Sequence, residues 1–257
     1  MDENGNVRPW TYRSGATLND MVTAQAYYTY YEMGAPTVAI LYETTQVDTV
    51  DMYETFNEVY TSLGGTITDV ATYQINDIEF RAQITDLAQS DPDYIYMPAM
   101  GYKEAGFCAM QIQELGYDIK LIGSNVFNNP DVIAQAGAEA LEGCFFLTEG
   151  DVNDDRFAEI REWYDEYYSY SGMSLHIDGL ISFNEAKIAE YAVNTAGSTD
   201  YEAMKKALDE CTSIDLITTT AQGWDPETHN LVGIEFQVVQ CQDGEWVNLG
   251  AYSIPQE

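Results

Sequence analysis

TVAILYETTQVDTVDMYETFNEVYTSLGG, residues 37–65, carries the pattern from which the fold is read. Its first six residues are apolar or β-branched without alternation, which suits a strand buried on both faces. A polar loop, ETTQVD (residues 43–48), follows. Met52, Phe56, Val59, Tyr60 and Leu63 then recur at helical spacing, and Gly64-Gly65 ends the helix. Strand, loop, amphipathic helix and glycine stop together make half of a βαβ unit.

The same unit recurs on either side. Upstream, Leu18, Met21, Val22, Tyr28 and Tyr31 mark a helix that stops near Gly34, with Pro36 just before the strand. Downstream, TITDVATY (residues 66–73) alternates like an edge strand, and Phe80, Ile84 and Leu87 mark a helix. DYIYM (93–97) reads as a strand, followed by a helix through Phe107, Met110 and Leu115 to Gly116. KLIG (120–123), a short helix over 130–136 and GCFFLT (143–148) complete the run. Strands separated by 10–15-residue helical patterns imply right-handed crossovers. The expected class is α/β, a doubly wound parallel sheet with helices on both faces.

After Glu149 the pattern changes. GDVNDD (150–155) is a polar break, and helices are expected over 157–168, about 180–195 and 201–208, the last capped by Ser198-Thr199-Asp200. GIEFQVVQC (233–241) and WVNLGAY (246–252) flank Asp243-Gly244, a hairpin signal.

Composition excludes several functions. The 257 residues carry a formal net charge of −33, which argues against tracking a nucleic-acid backbone or docking on an anionic membrane. The chain is 46% hydrophobic and 13% aromatic, so the acidity does not imply disorder. No apolar run reaches the roughly 20 residues that span a bilayer. The opening MDENGNVRPW is neither a signal peptide nor a lipoprotein leader. Cys108, Cys144, Cys211 and Cys241 form no CxxC pair and no zinc spacing, which leaves buried thiols or two disulfides open.

Ligands of an open parallel sheet sit beyond the carboxyl ends of its strands. That rule nominates residues 43–48, 98–104 and 124–129, whose aromatic, amide, hydroxyl and carboxylate side chains suit a small neutral or zwitterionic molecule. GxGxxG, GxxxxGK[ST] and GxSxG are absent, and Lys103 is the one basic residue in these loops, so no cofactor, phosphate cradle or nucleophile elbow is expected. His176, after a serine-rich stretch, and His229, in a polar turn, read as surface or satisfied core residues. Asp151, Asp154 and Asp155 miss the calcium-loop spacing, and Glu159, Glu162, Asp165 and Glu166 read as a solvated helix face. No metal site is expected.

Six stretches, in order, resemble the type I periplasmic binding proteins, in their branched-chain amino acid ABC transporter branch, also called extracellular ligand-binding receptors. They are PWTYRSGATLND (9–20), GAPTVAILYE (34–43), IEFRAQITDLAQSDPDYIYM (78–97), QIQELGYDIKLIGSN (111–125), AGAEALEGCFF (136–146) and ISFNEAKIAEYAVNTAGSTD (181–200). Each alone is weak; their order and spacing carry the resemblance. It implies two Rossmann-like lobes joined by three crossovers, with Arg13 near the first and residues 148–150 near the next. Residues 1–148 would then form the second lobe, 149–232 the remaining part of the first, and 233–257 strands returning to the second. The opening βαβ units of the first lobe, which would precede Trp10, are missing from the pattern. Such a fragment is expected to bind ligand weakly or not at all.

The resemblance also implies a function: a non-enzymatic solute-binding protein, outside the cytoplasmic membrane, that captures an amino acid or related compound by hinge closure and delivers it to an ABC permease. A sensory ectodomain is the alternative, and a flavodoxin-like cytoplasmic enzyme a weaker one. By position, Tyr102 matches the family's aromatic after the 93–97 strand, Asn125 falls where relatives place a carboxylate for a ligand ammonium, and Phe127 falls where an aromatic wall stands. Gln46 and Asp48 replace a Tyr-Gly pair, and Phe183, Asn184 and Glu185 replace Tyr-Asp-Ala. An amide at 125 does not neutralise an ammonium, so either Asp48 or Glu104 compensates or the ligand is not an α-amino acid.

Overall fold

Alternation along the central strands sends each neighbouring side chain to an opposite layer of helices. A computed structural model describes residues 6–34, 37–168 and 175–255. Pro36, the serine-rich stretch before His176, and both chain ends lie outside the described residues. The sheet has the order β2-β1-β3-β4-β5-β8-β9. Its strands are β1 (Thr37–Glu43), β2 (Thr66–Tyr73), β3 (Tyr94–Tyr96), β4 (Lys120–Ile122), β5 (Phe145–Thr148), β8 (Phe236–Gln242) and β9 (Glu245–Tyr252). From β2 through β5 every pairing is parallel, while β8 runs antiparallel to β5.

Val38, Ala39, Ile40 and Leu41 of β1 are all fully buried, as an unalternating apolar run requires when both faces are covered. On one face, Ala39, Leu41, Ile95, Leu121 and Phe146 pack with Phe80, Ile84, Cys108 and Ile112 from α3 (Arg81–Ala88), its preceding residue and α4 (Tyr102–Leu115). On the other, Tyr96 stacks on Phe56 of α2 (Val47–Ser62) at 4.0 Å, and Phe145 meets Tyr28 of α1 (Leu18–Tyr31) at 5.6 Å. Helices on both faces make the sheet doubly wound, with β2 its exposed edge. Asp243 (φ 51°) and Gly244 (φ 80°) turn β8 into β9, the two positive φ values that a tight hairpin of this kind needs.

Two short helices, α5 (Pro130–Ala136) and α6 (Ala138–Leu141), lead into β5. The later helices are α7 (Ala158–Tyr168), α8 (Ile177–Ala196) and α9 (Tyr201–Asp209). Asp200 caps α9 by accepting from the Ala203 N–H at 3.0 Å, as its sequence position suggests. A two-stranded ladder of β6 (Ile214–Asp215) and β7 (Thr220–Ala221), too short to register as a strand pattern, follows α9.

The chain divides into two compact units: the described residues of Leu18–Asp151 with Gln237–Glu257, and those of Met1–Thr17 with Val152–Phe236. The N-terminal segment therefore groups with the smaller unit, whereas the sequence reading places residues 1–148 together. Arg13 N–H donates to the His229 carbonyl at 3.1 Å, and the Trp224 indole donates to the Arg13 carbonyl at 2.8 Å. Partners some 200 residues apart leave no periodic signature from which that grouping could be read.

The four cysteines are buried free thiols, and burial pushes the Cys108 and Cys144 thiols up from their ordinary value. No described helix is long and apolar enough to cross a membrane.

Candidate functional site

β1, β2 and β3 run parallel and end at the same edge of the sheet, so the loops that leave them converge. There they enclose a cavity of about 370 Å³ in the larger unit, lined by residues of the 43–46, 73–76 and 100–104 segments.

Glu43, the last residue of β1, is 2% exposed. Its Oε1 accepts from the Thr45 N–H at 2.7 Å and from the Thr45 hydroxyl, while Oε2 accepts from the Gln46 N–H at 2.8 Å and the Thr49 hydroxyl at 3.4 Å. Burial by itself would raise the Glu43 pKa, but these donors outweigh it and hold the carboxyl below its ordinary value. The loop after β1 is thus wound around a fixed anion. Gln46 becomes the residue that precedes α2, which places it on the cavity wall.

The other wall is the first turn of α4. Gly101 precedes the helix and Tyr102 opens it, with the Lys103 ammonium 5.9 Å from the Tyr102 ring. Glu104 is 8% exposed and accepts from the Asn76 N–H at 2.9 Å through Oε1. That bond ties the loop after β2 to α4, and it fixes Asn76 in the left-handed region (φ 67°), where Asn is better tolerated than most residues. Tyr73, 3% exposed, stands between the two acids; burial first, then the Glu104 charge, push its hydroxyl well above the ordinary range.

Three of the six expected residues, Gln46, Tyr102 and Glu104, therefore meet at one cavity. The other three do not join them there. Asp48 is exposed in the first turn of α2. Asn125 is half-buried at the start of a 3-10 turn after β4. Phe127 is fully buried and packs on Phe146 at 6.2 Å and Trp246 at 6.3 Å, so its aromatic surface belongs to the core. The bare Gly123 makes that possible: a Cβ there would lie 2.4 Å from the Phe127 ring. Glu43 and Met100 fall inside loops that the strand-end rule nominates. Tyr73, Ile75 and Asn76 fall in a loop it passed over, because β2 reads only as an edge strand. The rule applied evenly to every parallel strand would have found them.

A second cavity, of about 340 Å³, lies in the smaller unit between Tyr12, Trp224, His229, Lys205 and Asp209. It is internally satisfied. The His229 ring stacks on Tyr12 at 4.2 Å with Nδ1 2.9 Å from the Thr11 carbonyl, and the Lys205 ammonium sits 2.6 Å from Asp209 Oδ2. The Tyr12 hydroxyl donates to the other oxygen of Asp209. His176, half-exposed, precedes α8 with Nδ1 3.3 Å from Asp178. Among the described residues there is no group of three metal-ligating side chains.

The sequence matches the family model described as periplasmic binding protein over residues 2–245. No curated protein matches the chain. Among solved structures, a leucine binding protein from Thermotoga maritima is 20% identical, with a TM-score of 0.78; the alignment covers 95% of this chain and 68% of that one. A solute binding protein from R. palustris, in complex with benzoate, is 17% identical with a TM-score of 0.75, covering 95% and 65%. A branched-chain amino acid transporter substrate binding protein from Streptococcus pneumoniae, in complex with isoleucine, is 19% identical with a TM-score of 0.73, covering 93% and 66%. The chain thus spans about two thirds of the length of these structures. With a family match over nearly its whole length and a doubly wound sheet of the type I form, this chain belongs to the periplasmic binding protein family, a family of extracytoplasmic solute-binding proteins and not of enzymes.

Proposed function

We propose that this chain is the solute-capturing component of an ABC importer and that the cavity beyond β1, β2 and β3 is its contact surface for a small polar organic solute. The observation that carries this reading is the convergence of Gln46, Tyr102 and Glu104 on one cavity at the carboxyl edge of the sheet. A drug-sized ligand fills a concavity of roughly 300–1,000 Å³, so about 370 Å³ suits a molecule of amino-acid or aromatic-acid size. Tyr102 supplies an aromatic face, while Gln46 and Glu104 supply directed polar groups. In this reading hinge closure over the bound solute excludes water, and the closed form is what an ABC permease recognises. The named neighbours bind leucine, isoleucine and benzoate, solutes of the size this cavity admits.

Amide NMR of the chain titrated with amino acids and benzoates, up to tens of millimolar, tests the reading. Shifts concentrated on residues 43–46, 73–76 and 100–104 are expected. Shifts confined to the smaller unit, or none anywhere, would remove the cavity as the solute site.

A further inference from the structure

We propose that the cavity of the smaller unit is a second binding site, that it takes a small neutral aromatic molecule carrying a hydroxyl or N–H donor, and that His229 Nε2 accepts from that donor. The walls are rings. Tyr12 stacks on the His229 ring at 4.2 Å and 7° and meets Trp224 edge-on at 5.5 Å, while the exposed Pro9 and Pro226 add rigid apolar surface. At about 340 Å³ the space lies near the lower end of the roughly 300–1,000 Å³ that ligand pockets span, which suits a molecule of one or two rings. Two distant segments fix these walls. The Trp224 indole donates to the Arg13 carbonyl at 2.8 Å, and the His229 carbonyl accepts from the Arg13 N–H at 3.1 Å. The turn between them is wound on Asp225. Its carbonyl accepts from the His229 N–H at 2.8 Å, and its Oδ1 accepts from the N–H groups of Glu227 at 2.8 Å and Thr228 at 2.9 Å. That winding puts His229 in the left-handed region (φ 56°), a cost that a non-glycine residue bears where its surroundings over-determine it, and such positions concentrate at ligand sites.

The polar groups decide the class of ligand. The Lys205 ammonium lies 2.6 Å from Asp209 Oδ2, so the one cation and the one carboxylate of the lining neutralise each other. A charged ligand would have to break into that pair. The Tyr12 hydroxyl is committed as well, since it donates to the other oxygen of Asp209. Burial first, then that bond, push its pKa up, so it keeps its proton. His229 is different. It is 6% exposed, and its Nδ1 lies 2.9 Å from the Thr11 carbonyl, which can only accept. Nδ1 therefore carries the hydrogen of the neutral ring, and Nε2 carries a lone pair. Nε2 makes no hydrogen bond to a described residue, yet it is not sealed from water. It is an acceptor at the cavity, oriented by Thr11 on one side of the ring and by the stack on Tyr12. A ligand there exchanges a bond to solvent for a directed one beside stacked rings, so the gain is the modest one of a neutral hydrogen bond.

The test compares phenol with anisole, which keeps the ring and loses the donor, and with benzoate and benzylamine, which add a charge. Each is titrated into the chain at neutral pH and fixed ionic strength while the amides of residues 10–13, 205–209 and 224–230 are followed by NMR. Phenol is expected to bind about fivefold or more tightly than anisole, and both charged ligands less tightly than phenol. His229→Asn keeps a residue that tolerates the left-handed backbone, removes the ring nitrogen and should bring phenol and anisole level. Pro226→Phe, at an exposed position of the lining, fills space and should weaken phenol and anisole alike. Dispersed spectra establish that the variants fold; should His229→Asn not fold, the wild-type ratio and Pro226→Phe decide the proposal. Anisole binding as tightly as phenol in the wild type, or an undiminished phenol preference in folded His229→Asn, overturns the role of His229. A charged ligand that binds at these amides better than phenol overturns the neutral class. Phenol shifts that are absent from these amides, or a phenol affinity unmoved by Pro226→Phe, overturn the site itself.

Discussion

The two units solve the problem of cohesion differently. The larger one is layered: strands bury both faces, and side chains such as Leu41, Ile95, Phe80, Ile84 and Phe146 meet without a polar atom among them. Among the described residues of the smaller one, apolar clusters gather around Trp224, Leu216 and Ala221, and around Phe157, Ile177 and Leu180. Distant segments there are tied by side chains that reach backbone. Asn184 Nδ2 donates to the Ser14 carbonyl at 3.0 Å and the Thr218 hydroxyl at 2.9 Å, while its Oδ1 accepts from the N–H groups of Ile217 at 2.8 Å and Thr218 at 3.2 Å. Arg161 bonds the carbonyls of Val152 and Asp154. Helix α7 buries none of its residues and leaves Trp163 42% and Tyr167 54% exposed. A layered core spreads stability over many interchangeable contacts, whereas a polar knot concentrates it in a few atoms.

The sharpest break in that comparison comes from emptying the layered core. Phe146→Ala removes a ring that has no exposed area and touches Phe127 and Trp246, the latter at 5.1 Å. A loss of about 3–5 kcal/mol is expected. Hydrogen exchange read separately for β1 and α8 amides checks it: the loss should fall on β1. Asn184→Ala is the matching test of the smaller unit. It strands two acceptors and two N–H donors in a site with no exposed area, and a loss of about 2–4 kcal/mol read at α8 amides is expected. A loss below about 1 kcal/mol would mean that the knot is not what holds that unit.

That asymmetry also decides what could be read from sequence. Periodicity is a record of burial against a layer, so β1, α2, α4 and the Asp243-Gly244 hairpin were legible from their own residues. The polar knot was not. Asn184 registered only as a departure from the family's pattern, since its partners lie 170 and 34 residues away. The lining of the candidate cavity was half legible for the same reason. Tyr102 and Glu104 sit at the end of a parallel strand, where ligands go, but the Asn76–Glu104 bond spans 28 residues and ties a loop whose strand looked like an edge. Phe127 shows the opposite limit: an aromatic after a strand has the same sequence signature whether it lines a site or fills the space over a glycine.

Glu43 is one of the places where the layered unit uses the smaller unit's method, as Glu104 does on the Asn76 N–H and Gln111 on the Phe80 N–H and the Ile78 carbonyl. Glu43→Gln retains an acceptor but sets an NH₂ against donors that faced a carboxylate, and about 1–2 kcal/mol should be lost at pH 7. The sign with pH follows from the direction of the shift. The folded carboxyl lies below its ordinary value of 4.5, so its contribution is complete above that pH and disappears as pH falls through the lowered folded value. Thermal melts of wild type and variant should therefore differ at pH 7 and converge in acid. A constant gap across that range would show that the carboxylate's charge is not what winds the loop.

The smallest effect has the opposite sign. Tyr96 has no exposed area, its ring stacks on Phe56 at 4.0 Å, and its hydroxyl finds no partner among the described residues. Burial alone pushes that hydroxyl far above its ordinary range, so it stays neutral and unpaired inside an apolar layer. Tyr96→Phe keeps the stacked ring and deletes the orphaned oxygen. The volume it vacates is about that of one small atom, so the cavity cost is slight beside the desolvation that is relieved. A gain of about 0.5–1 kcal/mol is expected, seen as slower exchange of β1 and β3 amides and a higher melting temperature for the larger unit. The reasoning inverts for the smaller unit, where Asn184 is also fully buried but every lone pair and proton has a partner. If Tyr96→Phe instead destabilised by 1 kcal/mol or more, the hydroxyl would have to be bonded in solution, and the apolar layer around β3 would hold a polar tie as Glu43 and Glu104 do at the edge of the sheet.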